Sequence, residues 1–339
     1  MQEKLSLRSP VPPNSIGLLR YLLMLAVMAH HSNVLVGTSF FSPVKLAVGL
    51  FFALSGYFGW RSCGRAPSFS YYIRRRLRRL LISYWTVILI SALLLALLAE
   101  DGWLACVTSA GWWRYLLSNF ALLGFLQPTI PGVFEGQWGN GVVNGSLWFV
   151  RVELVFSLAL PLLVAVGRRF RHPWMVPAAG CAVMWGVSFL WPQTGLPAAE
   201  PVARHAWYAM MFLAGALCNE LSVCAPSHRR MAVIAGIAGV TLWLVVPSLW
   251  LCGFMGSVPL ALVCFGSWRT AAALNRFNLS YELYLLHFPC LQWGVWMQRQ
   301  RGWHDSATTL VLSLSLILLA AFLVHVSAGR MWQKKFKYL

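Results

Sequence analysis

Arg20 and His31 lie in a stretch, SIGLLRYLLMLAVMAHHSN from Ser15 to Asn33, that is otherwise almost wholly apolar. As a helix it is long enough to cross a bilayer. An ionisable side chain in lipid costs about 2.5–3.5 kcal/mol on insertion scales, so it faces a cavity or a partner. Eleven residues separate the two. At about 100° per residue that offset puts both on one helix face, about 16 Å apart along the axis, and turns His30 away. A cation near one membrane face and a titratable base deeper in make two stations of one path. The spacing fits equally a snorkelling Arg20 and a His31 bonded to a neighbouring helix.

Four further stretches carry chemistry. VGLFFALSGYFGW places Ser55 and Gly56 mid-helix, where small residues let a helix or a ligand approach the backbone. FSYYIRRRLRRLLISYW has five arginines in six positions, with Arg76 and Arg79 neighbours on a helix surface. Such a run anchors topology at anionic lipid, or clamps phosphates bidentately. NGSLWFVRVELVFSLALPLL carries Arg151 and Glu153, which point apart on a helix and therefore call for separate partners. Late in the chain, FNLSYELYLLHFPCLQW sets Tyr284 and His287 one turn apart. Pro289 there frees a backbone carbonyl, which suits the wall of a polar cavity. His325 reads as a structural histidine.

Ten apolar spans are needed to position these groups: 16–36, 44–60, 80–98, 146–167, 174–191, 205–222, 231–247, 250–267, 279–297 and 307–328. The chain is 59% hydrophobic and 11% charged. That composition is a polytopic, all-α membrane protein, not a soluble domain. Its formal charge of +18 would suggest nucleic acid in a soluble protein; here the positive-inside rule accounts for most of it. In the ten-helix arrangement 20 of the 27 basic residues fall on one side, which is the cytoplasm, together with both termini. A retained first helix follows a polar segment, 1–15, and a basic tail, 329–339, ends the chain. No second soluble domain is evident, so residues 1–339 read as one membrane domain. The eight cysteines are scattered without a CxxC pair, and no histidine shows metal-ligand spacing, so no metal is expected.

The opposite face has one long outer loop, 99–145, with the glycine-rich run GQWGNGVVNG. Its aromatic middle, Trp103 to Phe125, reads as amphipathic or re-entrant. In this topology Glu153 lies about 10 Å below the outer face and His31 about 8 Å below it. A carboxylate at histidine's depth fixes its tautomer and raises its basicity.

Taken together, these stretches resemble one family, the acyltransferase 3 family of integral membrane proteins that acylate bacterial surface and secreted glycans. Arg20 and His31 match its basic residue, ten intervening residues, then histidine. Phe51, Phe52, Ser55 and Gly56 match its FFxxSG, and Arg76 and Arg79 its RxxR before an aromatic helix start, here Tyr84 and Trp85. A proline usual before that tyrosine is Ile82 in this chain. Leu147, Trp148, Val150, Glu153 and Pro161 match LWxLxxE with its following proline. Ser280, Tyr281, Tyr284, Leu285 and His287 match SYxxYLxH. The motifs run in order across nearly the whole chain, and the length is that of a short, membrane-only member.

The resemblance implies an acyl-CoA donor, usually acetyl-CoA, taken from the cytoplasm. It also implies transfer to a hydroxyl of an exported or lipid-linked carbohydrate, and residence in a bacterial inner membrane. A sugar hydroxyl is a poor nucleophile and needs a general base, for which histidine has a suitable pKa. The expected roles are His31 as base, Glu153 as its orienting partner and Arg20 positioning the donor. Arg76 and Arg79 are expected on CoA phosphates, with Ser55, Tyr284 and His287 lining the donor channel. The competing class is a transporter or flippase of a lipid-linked glycan or anionic solute, in which the same charges form a substrate path. No duplicated halves of the transporter kind are visible. A haem protein using His30, His31, His287 or His325 is a weaker competitor, since no helix carries a bis-histidine pair.

Overall fold

The computed structural model describes residues 15–196, 198–246, 248, 250–267, 274 and 278–336, with side chains up to residue 327. The expectations for the segment before Ser15, for Arg269 and Arg276, and for the side chains of the basic tail lie outside the described residues.

The described residues are helical with no β-strand; an isolated bridge joins Thr129 and Val142. The helices are α1 (Ile16–Leu35), α2 (Val44–Gly64), α3 (Phe69–Leu95), the short α4 (Trp103–Thr108) and α5 (Ala110–Phe120), α6 (Trp148–Gly167), α7 (Met175–Leu190), α8 (Ala199–Glu220), α9 (Pro226–Val245), α10 (Trp250–Ser267), α11 (Ser280–Arg301) and α12 (Ser306–Phe336). The ten long helices stand at the ten expected spans, and the chain is an all-α polytopic membrane protein. Six of them are long and apolar enough to cross a membrane by length and composition. Their outward faces confirm the solvent they fit. Met231, Ile234, Leu244 and Val245 of α9 are exposed, as are Val183, Phe189 and Leu190 of α7. Bands of that size on helices with internally satisfied backbones suit lipid, not water.

The main boundary difference is at α3. Hydropathy alone starts a span at 80, but the helix begins at Phe69. Ser68 caps it, its hydroxyl accepting from the Tyr71 N–H at 3.1 Å. Arginine is a good helix former, so the arginine run continues the helix ahead of its apolar part.

The chain divides into two compact units. One comprises the residues up to Leu23, Gly49–Phe58 and Phe170–Asn278, and holds α7 to α10 with parts of α1 and α2. Close backbone packing holds it together. A Cβ on Gly56 would overlap the Phe212 carbonyl of α8, and one on Gly215 would overlap the Ala53 carbonyl of α2. Small residues let these backbones touch, which is how membrane helices gain dispersion energy without a hydrophobic drive. Gly239 and Gly256 do the same between α9 and α10. Arg20 and Ser55 belong to this unit. The Arg20 guanidinium stacks 5.6 Å from the Phe58 ring centroid.

The other unit comprises Met24–Val48, Gly59–Arg169 and residues from Leu279 on. Here α3 is the post against which the long loop is fastened. The Tyr84 hydroxyl donates to the Asn119 carbonyl at 3.0 Å, Trp85 Nε1 to Phe120 at 3.0 Å, and Trp112 Nε1 to Ala92 at 2.9 Å. Thus α5 lies on α3 with Trp112, Tyr115, Leu116 and Asn119 buried and Trp113 and Leu117 exposed, an amphipathic helix as expected. Beyond it, α11 and α12 run side by side. A Cβ on Gly294 would strike Ser313, and Asp305 caps α12 by accepting from the Thr308 N–H at 2.8 Å. The Thr308 hydroxyl and amide beside Asp305 hold its carboxyl below the usual range.

Candidate active site

The second unit collects most of the expected site residues: His31, Arg76, Arg79, Glu153, Tyr284 and His287. They join in pairs that sequence spacing does not give.

The first pair is two histidines. Nε2 of His287 lies 2.8 Å from Nδ1 of His31. Nδ1 of His287 lies 2.7 Å from the Tyr284 carbonyl. A carbonyl only accepts, so Nδ1 of His287 carries its proton. With both rings neutral, Nε2 of His287 then has only a lone pair, and Nδ1 of His31 must donate to it. His31 is left with an unprotonated Nε2. The chain of donors therefore fixes the tautomer a general base needs. His287 is fully buried and Phe288 packs edge-on at 5.2 Å from the His31 ring, which holds both rings in place. His30 meets His31 edge-on, with ring centroids 5.3 Å apart, and lies outside the hydrogen bond between His31 and His287.

The second pair is an ion pair. Nη2 of Arg76 donates to Oε1 of Glu153 at 2.7 Å, and its Nε to the Ser157 hydroxyl at 3.0 Å. Both side chains are about nine-tenths buried. Glu153, expected as the partner of His31, meets Arg76 of α3, and the imidazole of His287 lies beside Nδ1 of His31. Equal depth in the membrane does not by itself bring two side chains together, because contacts between helices depend on how the helices cross. The RxxR pair is also split. Arg76 turns inward to Glu153, while Arg74, Arg75, Arg78 and Arg79 are exposed.

Two residues the sequence reading passed over complete the wall. Asn144 Nδ2 donates to the Leu285 carbonyl at 2.8 Å. That carbonyl is the one Pro289 leaves unpaired four residues later, since proline has no N–H to give it. The Ser146 hydroxyl donates to Asn144 Oδ1 at 2.7 Å, and Tyr284 donates to the Ser146 carbonyl at 2.5 Å. Tyr284 thus ties α11 to the chain entering α6. The available signal was the proline together with an Asn-Gly-Ser turn just before a helix. His325 is likewise engaged: Nδ1 lies 3.5 Å from Glu282, which also accepts from Ser83 at 3.3 Å.

Neither a curated protein nor a solved structure matches the chain. A family model, the acyltransferase domain of the acyltransferase 3 family, matches residues 14–339. The match covers nearly the whole sequence, including both ends of the histidine relay and the ion pair, and on it the chain belongs to the acyltransferase 3 family of membrane acyltransferases.

Proposed function

We propose that this protein moves an acyl group, acetyl in the simplest case, from cytoplasmic acyl-CoA to a hydroxyl of an exported or lipid-linked carbohydrate. The observation that carries the reading is the relay from the Tyr284 carbonyl through His287 to His31, which leaves Nε2 of His31 able to accept a proton. In the reaction, Nε2 takes the proton of the acceptor hydroxyl as its oxygen attacks the thioester carbonyl. The His31 imidazolium keeps its Nδ1–H on His287. Collapse of the tetrahedral intermediate breaks the C–S bond, and the departing thiolate takes the proton from Nε2. One ester and one CoA thiol result, with His31 restored.

The exposed arginines of α3, Arg79 among them, supply cations for the CoA phosphates on the cytoplasmic side. Arg76 serves by anchoring α6 through Glu153. Arg20, on the same helix as His31 and about 16 Å before it, is the donor-positioning candidate of the first unit. The proposed setting is a bacterial cytoplasmic membrane, with both termini inside and the loop 99–145 outside.

The test is consumption of acetyl-CoA by the purified protein in lipid nanodiscs with and without an acceptor glycan. Acceptor-dependent release of CoA thiol, lost in His31→Ala, is the expected result. Movement of a glycan across sealed vesicles without thioester consumption would instead establish the transporter reading.

A further inference from the structure

The long loop and α6 enclose a cavity of about 160 Å³ that the mechanism does not use. Tyr84, Tyr115, Asn119, Phe125, Trp148 and Arg151 are among its walls. Drug-sized pockets begin at about 300 Å³, so this one holds a single ring and not an oligosaccharide.

Its polar groups lean toward an anion. Arg151 sits in the first turn of α6, its guanidinium 4.7 Å from the Phe125 ring centroid. Among the described residues no carboxylate pairs with it, whereas Arg76 on α3 has Glu153. No Asp or Glu lines the cavity. A guanidinium in a partly enclosed site is a ready bidentate partner for carboxylate or phosphate oxygens. The Tyr115 side chain is buried, and its hydroxyl has no hydrogen-bond partner among the described residues. Burying a hydroxyl unpaired costs free energy that a bound acceptor would recover.

The remaining groups suit a sugar ring. Trp148, half-buried at the wall, offers aromatic surface for the apolar C–H face of a pyranose. The Asn119 amide nitrogen is committed to the Tyr115 and Gln127 carbonyls, at 2.9 and 3.3 Å, which orients its oxygen as the acceptor end. A Cβ on Gly124 would strike that oxygen, so glycine is required for this close approach. Asn144, also on the wall, bonds the carbonyl of Leu285, two residues before His287. The cavity and the base are therefore joined through one side chain.

We propose that this cavity is a subsite for an acidic sugar, with Arg151 and Tyr115 holding its oxyanion. The proposal rests on the acyltransferase reading for its place in the reaction, and it narrows the acceptor to a glycan with a carboxylate or phosphate on the ring bound here.

Binding of three probes to the full-length protein tests it, in a detergent without a sugar headgroup and with no thioester present. The probes are methyl glucuronide, glucose 1-phosphate and methyl glucoside, followed by saturation-transfer NMR. At least one charged probe should bind tenfold or more tighter than methyl glucoside, and whichever it is identifies the oxyanion. Arg151→Gln should erase that preference, and Tyr115→Phe should weaken the charged probe several-fold while sparing the neutral one. Equal binding of all three by the native protein, which needs no variant, overturns the proposal. So does a preference that survives in monodisperse Arg151→Gln. Acyl transfer without charge preference would sink the subsite alone, and charge preference without acyl transfer would sink the enzyme reading alone.

Discussion

Two side-chain pairs join distant parts of the same unit, and they are built to opposite ends. Arg76 and Glu153 form a closed pair: each charge meets its counter-charge, and Ser157 takes another guanidinium N–H. His31 and His287 form an open one: every proton along the relay is assigned, and one lone pair is left over at Nε2 of His31. In the closed pair the charges neutralise each other across α3 and α6. The open pair has a base held in a fixed tautomer beside a carbonyl that cannot change its role. The difference separates a pair whose charges meet each other from one that keeps a lone pair able to take up a proton.

The strongest way to break the comparison is His31→Ala, which should reduce acceptor-dependent thioester consumption by about 10²–10⁴-fold, the range general bases supply. His30→Ala should retain substantial activity, because its ring has no place in the relay. Similar losses in both, read as initial rates, would reduce the histidine pair to packing.

The closed pair should fail differently. Arg76→Met or Glu153→Met alone strands a buried charge and should cost about 3–5 kcal/mol of stability. Replacing both together should cost less than either single change, since the double variant strands neither. Unfolding in denaturant from mixed micelles measures this. A double variant as damaged as the sum of the singles would show that the pair is not closed.

His287 sharpens the open pair. His287→Leu removes the imidazole that accepts from Nδ1 of His31, and about a 10–100-fold fall in kcat is expected, as for other side chains that orient a ligating or catalytic imidazole. The donor KM should change little. His287→Gln, whose amide oxygen can still accept from Nδ1, should restore part of the rate. Equal loss in Leu and Gln variants would remove the hydrogen bond from the explanation.

Asn144→Ala should cost about 1–3 kcal/mol, because it leaves the Leu285 carbonyl, already abandoned by Pro289, without a donor. Smaller still is Asp305, exposed at the start of α12. Its folded pKa is depressed by Thr308, so its contribution is present above the unfolded carboxylate range and is lost as pH falls through the folded value. Asp305→Asn should lower the melting temperature slightly at neutral pH and leave it unchanged in strong acid.

The fold class, the number and order of long helices, the family resemblance and the residues worth watching are all legible in the amino-acid sequence. These follow from properties of contiguous stretches: hydropathy sets a span, Pro289 frees a carbonyl four residues back, and an eleven-residue offset selects a helix face. Even the error at the start of α3 was local, since the arginines are polar yet helix-forming. Partnership between side chains is settled by the packing of the helices. Glu153 goes to Arg76 and not to His31, and His31 goes to His287, which lies 256 residues further along the chain. Asn144 reaches α11, and His325 is drawn to Glu282. Each of these choices depends on how helices tilt and cross, and that is fixed by packing across the whole unit. No single stretch of sequence records it.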